Sequence, residues 1–305
     1  MNDVAHSVIT VGTFDGVHLG HRAVLEEIKE RAERSGRRSV LVTFEPHPLE
    51  IVNPHAAPPL LTAPSERREA LAPCEIDRVV ILPFTKSLSQ YSPEQFVALL
   101  RSRYGMMELV IGHDHGFGRG RAGDVHVLRA LGAKHGFGVD VVEPVVQDGK
   151  SVSSTLVRRA IAGGDLETAR SLLGRPYSFV GDVVAGAGRG KELGYPTINL
   201  SLPNARKLLP PDGVYAVWAE WRGGHAGGVM HQGPRPTFED LGPSVEVHLF
   251  GVDEDLYGQM VKVAWVVKLR DIRAYPDVSA LKAQIEKDAR AARDALTRGW
   301  WRAST

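Results

Sequence analysis

Cysteine is almost absent: Cys74 is the single thiol in 305 residues. An internal disulfide framework and any cysteine-based zinc cluster are thereby excluded. Long apolar runs are missing as well. Asp15 and His18 interrupt the first apolar stretch, where a signal peptide needs an unbroken core, and no later run approaches the length that spans a bilayer. Charge of one sign is not in excess, with 37 Lys and Arg against 36 Asp and Glu. No electrostatic footprint for nucleic acid or an anionic membrane surface is therefore expected. The twelve histidines form no H-E-x-x-H or similar metal pattern, and neither repeats nor low-complexity segments occur. These absences predict a cytoplasmic protein without nucleic-acid or membrane partners, and they leave homo-oligomerisation open. The length exceeds one typical core and predicts two domains.

The first half alternates strand-like and helix-like segments. Strands are predicted at Ser7–Val11, Ser39–Phe44, Arg78–Leu82, Glu108–Ile111 and Val139–Val142, and helices at Arg22–Arg34, Pro93–Arg103 and Val125–His135. This alternation predicts an α/β fold, a parallel sheet with helices on both faces, whose ligands bind beyond the carboxyl ends of the strands. The segments Gly12–His21, Glu45–Pro48 and Gly112–Asp124 each follow a predicted strand and are expected to converge on one crevice. Two short helices follow, Thr155–Ile161 and Leu166–Leu173, with Asp165 as N-cap of the second. Gly174-Arg175-Pro176 stops that helix, which divides the chain into domains 1–175 and 176–305. Beyond Pro176, short runs rich in Val, Tyr and Trp are punctuated by Gly and Pro: Tyr177–Val184, Val214–Trp221, His225–Met230, Ser244–Phe250 and Met260–Lys268. They predict a small antiparallel β-barrel, followed by a C-terminal helix over Val278–Thr297 that Asp277 caps.

The sharpest chemical signal is Gly12-Thr13-Phe14-Asp15-Gly16-Val17-His18-Leu19-Gly20-His21. A glycine-rich turn between a buried strand and a helix offers free amides and the positive end of the helix dipole, which suits phosphate. His18 and His21 add donors, and Gly20 gives a nucleotide room to approach the backbone. Ser154, Thr155 and Arg158 open a later helix, where hydroxyls serve either as plain caps or as phosphate ligands.

Together these segments resemble the H-x-G-H and S-S-T-x-x-R motifs of the nucleotidyltransferase superfamily. Thr13–His18 is narrower, and resembles the bacterial bifunctional riboflavin kinase/FAD synthetase family. The resemblance implies a Rossmann-like nucleotidyltransferase domain in which an FMN phosphate oxygen attacks the α-phosphorus of ATP and pyrophosphate leaves. His18, His21 and Arg158 would stabilise the developing charge. Gly12, Phe14 and Asp15 would line the nucleotide pocket, Asp114 would lie near the adenosine, and Ser154 and Thr155 would hold triphosphate oxygens. His115 stands where the family is commonly aromatic. H-x-G-H also occurs in class I aminoacyl-tRNA synthetases, but the chain lacks their K-M-S-K-S-like loop.

A second constellation lies downstream. Gly186–Glu192 is not a P-loop, because Ala185 and Glu192 stand where that motif needs Gly and Ser or Thr. Leu193–Leu200 resembles the riboflavin kinase motif G-x-P-T-A-N, with Ile198 replacing Ala. Thr197 and Asn199 share one face of an extended strand, where a hydroxyl and an amide oxygen suit Mg²⁺, although such residues on a barrel strand far more often face solvent. Glu246 and His248 share a face in Val245–Leu249, which resembles the family's E-V-H motif. The resemblance makes Glu246 the general base toward the riboflavin 5′-hydroxyl, with Gly188, Arg189 and Lys191 in a flap over the phosphates of ATP. His231-Gln232-Gly233 departs from the usual N-I-G, and Ile272 from the usual Glu. From about Val8 to Arg293 the motifs run in family order, which implies conversion of riboflavin to FMN and then to FAD, with ATP and Mg²⁺ at each step. An FAD synthetase with an impaired kinase half and a non-catalytic flavin-binding regulator are the competing readings.

Overall fold

The computed structural model describes residues 6–113, 122–186, 189–202, 204, 206–235 and 240–297. The chain divides into two compact units, Met1–Ser154 and Thr155–Thr305.

In the first unit the order is β1 (Ser7–Val11), α1 (Leu19–Ser35), β2 (Arg38–Glu45), α2 (Pro48–Val52), α3 (Pro64–Leu71), β3 (Arg78–Pro83), α4 (Pro93–Tyr104), β4 (Met106–Gly112), α5 (Val125–His135) and β5 (Gly138–Val142). A hairpin of β6 (Val146–Gln147) and β7 (Lys150–Ser151) follows. The five long strands form one parallel sheet in the order β3-β2-β1-β4-β5. Both faces are covered, as the alternation predicts. Val8, Leu41 and Val110 pack with Val24, Leu25, Ile28 and Ala32 of α1. Their strand neighbours Ile9, Val42 and Leu109 meet Phe96 and Leu100 of α4 and Leu128 of α5 on the other face. α1 stops at Gly36, whose left-handed backbone (φ 62°) turns its N–H back to the last carbonyls. α4 starts with a Ser92–Gln95 capping box and Pro93 in its first turn. The strand order reverses between β1 and β4, so the segments leaving their carboxyl ends flank the ligand crevice typical of such sheets.

α2 and α3 were not expected from the sequence. α3 reads Pro-Ser-Glu-Arg-Arg-Glu-Ala-Leu and buries Glu66 and Arg67 beside Leu71, so it carries no apolar stripe to detect.

The second unit contains α6 (Ser154–Ala162, its first residue in the first unit), α7 (Leu166–Leu173), β8 (Ser178–Val184), α8 (Arg189–Glu192), β9 (Ile198–Leu200), β10 (Gly213–Trp221), β11 (Gly224–Arg235), β12 (Asp240–Leu249), β13 (Met260–Arg270) and α9 (Val278–Leu296). Six strands close an antiparallel barrel in the order β10-β11-β12-β9-β8-β13. Phe179, Tyr215, Val217, Val247, Val263 and Trp265 fill it. Burial pushes the Tyr215 hydroxyl up to about 12, and that hydroxyl donates to the Pro211 carbonyl. α9 lays Ala292 and Leu296 over Ala216. Asp277 accepts from the Ala280 N–H and Asp165 from the Thr168 N–H, the two caps expected. β9 is only three residues long, too short for a periodic signal.

The two compact units meet at Ser154–Thr155, whereas the helix stop at Gly174-Arg175-Pro176 predicts a boundary after Arg175. α7 packs against β13, a contact that the helix stop at Gly174-Arg175-Pro176 does not encode.

Candidate active sites

The turn after β1 is shaped by backbone conformations rare for side-chain-bearing residues. Phe14 (φ 47°) and Val17 (φ 42°) lie in the left-handed region on either side of Gly16 (φ 85°). The turn is held from beneath. The buried Asp15 carboxylate accepts from the Leu61 N–H (2.9 Å), the Thr62 N–H (2.9 Å) and the Thr62 hydroxyl (3.0 Å). That hydroxyl also accepts from the Gly16 N–H (3.1 Å), and the Ser154 hydroxyl donates to the Asp15 carbonyl (3.0 Å).

The turn delivers His18 as the N-cap of α1. Its Nδ1 accepts from the His21 N–H (3.3 Å), which leaves Nε2 as the donor of a neutral ring. The His18 and His21 rings stack with centroids 3.7 Å apart, and the buried Phe14 ring backs His21 at 4.7 Å. Two imidazoles, first-turn amides and a helix dipole thus sit together beyond the carboxyl end of β1. Gly20 is also closely packed by the protein itself. A Cβ there would stand 3.2 Å from the Val152 carbonyl and 3.3 Å from the His18 ring. Gly12 is similar, since its Cβ would lie 2.9 Å from the Phe14 ring.

A residue that the sequence did not single out ties the crevice together. Arg67 of α3 donates through Nη1 to the Thr13 carbonyl and through Nη2 to the Phe44 carbonyl, both at 3.1 Å. Glu45 Oε2 lies 3.7 Å from Nη2. Burial pulls the guanidinium down from its ordinary range, and nearby Asp15 and Glu45 oppose this. One planar cation thereby bridges the turn after β1 and the end of β2, where Glu45-Pro46-His47 leads into α2.

Thr155 and Arg158 continue the helix that Ser154 opens, in the second unit. Asp114 and His115 lie outside the described residues.

In the barrel, β9 and β12 pair so that Asn199 stands opposite Glu246. The Thr197 hydroxyl donates to Glu246 Oε2 at 3.4 Å. Thr197, Asn199 and Glu246 therefore meet, although nearly fifty residues separate them in the chain. The glycine-rich segment closes over them. A Cβ on Gly186 would overlap the Asn199 amide nitrogen and stand 2.5 Å from Asn199 Cγ, and one on Gly190 would stand 2.5 Å from the Tyr195 carbonyl and 3.0 Å from Thr197 Oγ1. The segment includes the single helical turn α8, which the sequence did not predict. Gly188 and the side chains of Arg189 and Lys191 lie outside the described residues.

Among the described residues no cluster of three or more His, Cys, Asp or Glu exists to hold a metal ion by itself. Thr197, Asn199 and Glu246 are hard oxygen donors but too few to saturate Mg²⁺, which fits an ion that arrives with substrate phosphates.

The segment His231–Gly233 and Ile272, the two places where the motifs depart from the family pattern, come together. A Cβ on Gly233 would lie 2.7 Å from Ile272 Cδ1. Gln232 is buried and satisfied, donating to the Pro210 carbonyl (2.6 Å) and accepting from the Trp265 indole N–H (3.1 Å). Beside Ile272 a cleft of about 480 Å³ opens between the end of β13 and α9. On its wall Arg270 grips Asp288 with Nε (3.0 Å) and Nη2 (2.7 Å).

Two family models match successive parts of the chain. The FAD synthetase family matches residues 1–156, and the riboflavin kinase family matches residues 173–296. Proteins described as bifunctional riboflavin kinase/FMN adenylyltransferase are similar over almost the whole length. The one from Escherichia coli (strain K12) is 37% identical over 94% of this chain and 92% of its own. That from Pseudomonas fluorescens is 40% identical with the same coverage, and that from Bacillus subtilis (strain 168) is 35% identical over 93% and 90%. A solved structure described as a macrolide-efflux protein from Streptococcus pneumoniae superposes with a TM-score of 0.85 at 29% identity, covering 97% of this chain and 95% of the other. In the present chain no helix among the described residues is long and apolar enough to cross a membrane.

Proposed function

The chain belongs to the bifunctional riboflavin kinase/FMN adenylyltransferase family, and from that premise we propose how its residues divide the two reactions. It phosphorylates riboflavin to FMN and adenylylates FMN to FAD, with ATP as co-substrate of both steps. The adenylyl transfer belongs to residues 1–175 and the phosphorylation to residues 176–305.

Adenylyl transfer needs no nucleophilic side chain. An FMN phosphate oxygen attacks the α-phosphorus of ATP in line, and pyrophosphate departs. The protein's task is positioning and charge stabilisation. His18 and His21, stacked at the start of α1, donate to phosphoryl oxygens as negative charge builds. Gly12, Phe14 and Asp15 shape the turn that carries them. Ser154, Thr155 and Arg158 hold the triphosphate, the Ser154 hydroxyl exchanging the Asp15 carbonyl for a phosphate oxygen when ATP binds, and Asp114 lies near the adenosine.

In the barrel Glu246 takes the proton from the riboflavin 5′-hydroxyl as its oxygen attacks the γ-phosphorus of ATP and ADP departs. Thr197 and Asn199 would hold Mg²⁺, which supplies neutralisation of phosphate charge when bound. Gly188, Arg189 and Lys191 cover the phosphates. The flavin ring lies in the cleft beside Ile272. The observation that carries this reading is the meeting of Thr197, Asn199 and Glu246 beneath Gly186 and Gly190.

A crossed pair of substitutions tests the assignment. Glu246→Gln should lower FMN formation by roughly 10²- to 10⁴-fold, the usual effect of losing a general base, and leave FMN-to-FAD conversion intact. His21→Ala should do the reverse. Equal damage to both reactions in folded protein by either variant would falsify the division of labour. Product analysis with riboflavin, ATP and Mg²⁺ also separates the alternatives. FAD only from added FMN marks an impaired kinase half, and no product from either flavin marks a non-catalytic binder.

A further inference from the structure

His248 has no part in the chemistry above, yet it shares a strand face with Glu246. Its Nδ1 lies 2.8 Å from the Pro196 carbonyl. A carbonyl only accepts, so Nδ1 carries the hydrogen and donates it. Pro196 immediately precedes Thr197. One strand, β12, therefore addresses two consecutive residues of the segment leading into β9: Glu246 meets the Thr197 hydroxyl, and His248 holds the carbonyl just before it.

The imidazole is itself fixed. Tyr195 packs edge-on against it (centroids 5.3 Å, 80°), and Phe250 does the same (5.7 Å, 77°). Arg293 of α9 caps the Phe250 ring at 4.2 Å. Burial and the nearby Glu286 carboxylate of α9, to which the hydroxyl hydrogen-bonds, raise the Tyr195 phenol above its ordinary range. Thus α9 braces both rings that hold His248, and His248 holds the Pro196 backbone. Proline has no N–H, so no backbone donor at this residue can anchor the segment, and the carbonyl contact takes on that role.

We propose that His248 is a positioning residue for riboflavin phosphorylation: its Nδ1–H bond to the Pro196 carbonyl sets where Thr197 and Asn199 stand relative to Glu246. The inference rests on the reading of Thr197, Asn199 and Glu246 given above. His248 acts through the backbone and touches no reacting atom.

The full chain carrying His248→Phe or His248→Asn provides the test. Phe keeps a ring between Tyr195 and Phe250 but lacks the donor, whereas Asn places an amide N–H near the position of Nδ1. Three quantities are measured: FMN formation against Mg²⁺ concentration, FAD formation from FMN, and backbone amide exchange over residues 195–199 in the unliganded protein. The Phe variant is expected to lose roughly tenfold in FMN formation, the scale of one hydrogen bond. It should need more Mg²⁺ for half-maximal rate and exchange faster over 195–199. Asn should restore most of each, and FAD formation should be unchanged in both variants. Wild-type exchange and Mg²⁺ dependence in the Phe variant would overturn the proposal, as would equal impairment of Phe and Asn, which makes ring packing the operative feature. Glu246→Gln runs alongside. If its FMN formation survives, the underlying reading fails, and amide exchange still decides whether the anchor exists. If Glu246→Gln is inactive while His248→Phe is silent, only this proposal fails.

Discussion

Gly186→Ala is a small change aimed at the close contact between Gly186 and Asn199, part of the site proposed for riboflavin phosphorylation. The added Cβ would overlap the Asn199 amide nitrogen and stand 2.5 Å from its Cγ. Ordinary contact between such atoms is about 3.5–4.0 Å, so either the glycine-rich segment or Asn199 must move by well over 1 Å to clear the amide nitrogen. A displacement of that size in a positioned group lowers turnover by about 10²-fold. Overpacking of a close contact costs about 1–3 kcal/mol of stability. FMN formation from riboflavin should therefore fall by about two orders of magnitude, with a modest loss of melting temperature. FMN-to-FAD conversion by the same protein serves as an internal control and should be unaffected. A folded Gly186→Ala protein that phosphorylates riboflavin within twofold of the parent would refute the placement of this glycine against Asn199.

Two further outcomes follow from the structure. Arg67→Met removes two hydrogen bonds from a buried cation. It should destabilise the first unit by about 2–4 kcal/mol and lower FAD formation, with FMN formation spared; Arg67→Lys, which cannot fork between two carbonyls, should fall between parent and Met. Equal loss of both activities in folded Arg67→Met would argue against it. The Thr168 N–H bond holds the Asp165 carboxyl below its ordinary range. Because the folded state favours the charged form, the contribution of this cap is present above the unfolded pKa and lost as pH falls through the folded one. Asp165→Ala should therefore cost about 0.5–2 kcal/mol near neutral pH, a difference that shrinks below about pH 4; a pH-independent gap in thermal melting would contradict this.

Much of the fold was legible in the chain because it is written in local pattern. The five parallel strands announce themselves as short apolar runs separated by helical periodicity, and Asp165 and Asp277 mark helix starts through side chains that accept first-turn N–H groups. β9 and α3 were invisible for the opposite reason. Three residues carry no period, and a helix that buries Glu66 and Arg67 presents no stripe. The site residues found from sequence were those whose types declare their chemistry. Arg67 went unnoticed because an arginine in a polar helix looks solvated until the Thr13 and Phe44 carbonyls are seen around it.

The residue order alone thus determined the two-part architecture, the glycine-rich turn at Gly12–His21 and the motifs that mark the two reactions. Those features depend on neighbours in the chain, through strand and helix periodicity, capping and turn chemistry. Only the tertiary structure decided which residues meet. Strand pairing sets Asn199 opposite Glu246, close packing explains Gly20 by the Val152 carbonyl and Gly186 by the Asn199 amide, and α7 lies against β13. Each of these is a contact between segments far apart in sequence. Such contacts follow from how the sheet and barrel close, and no local pattern of side chains encodes them.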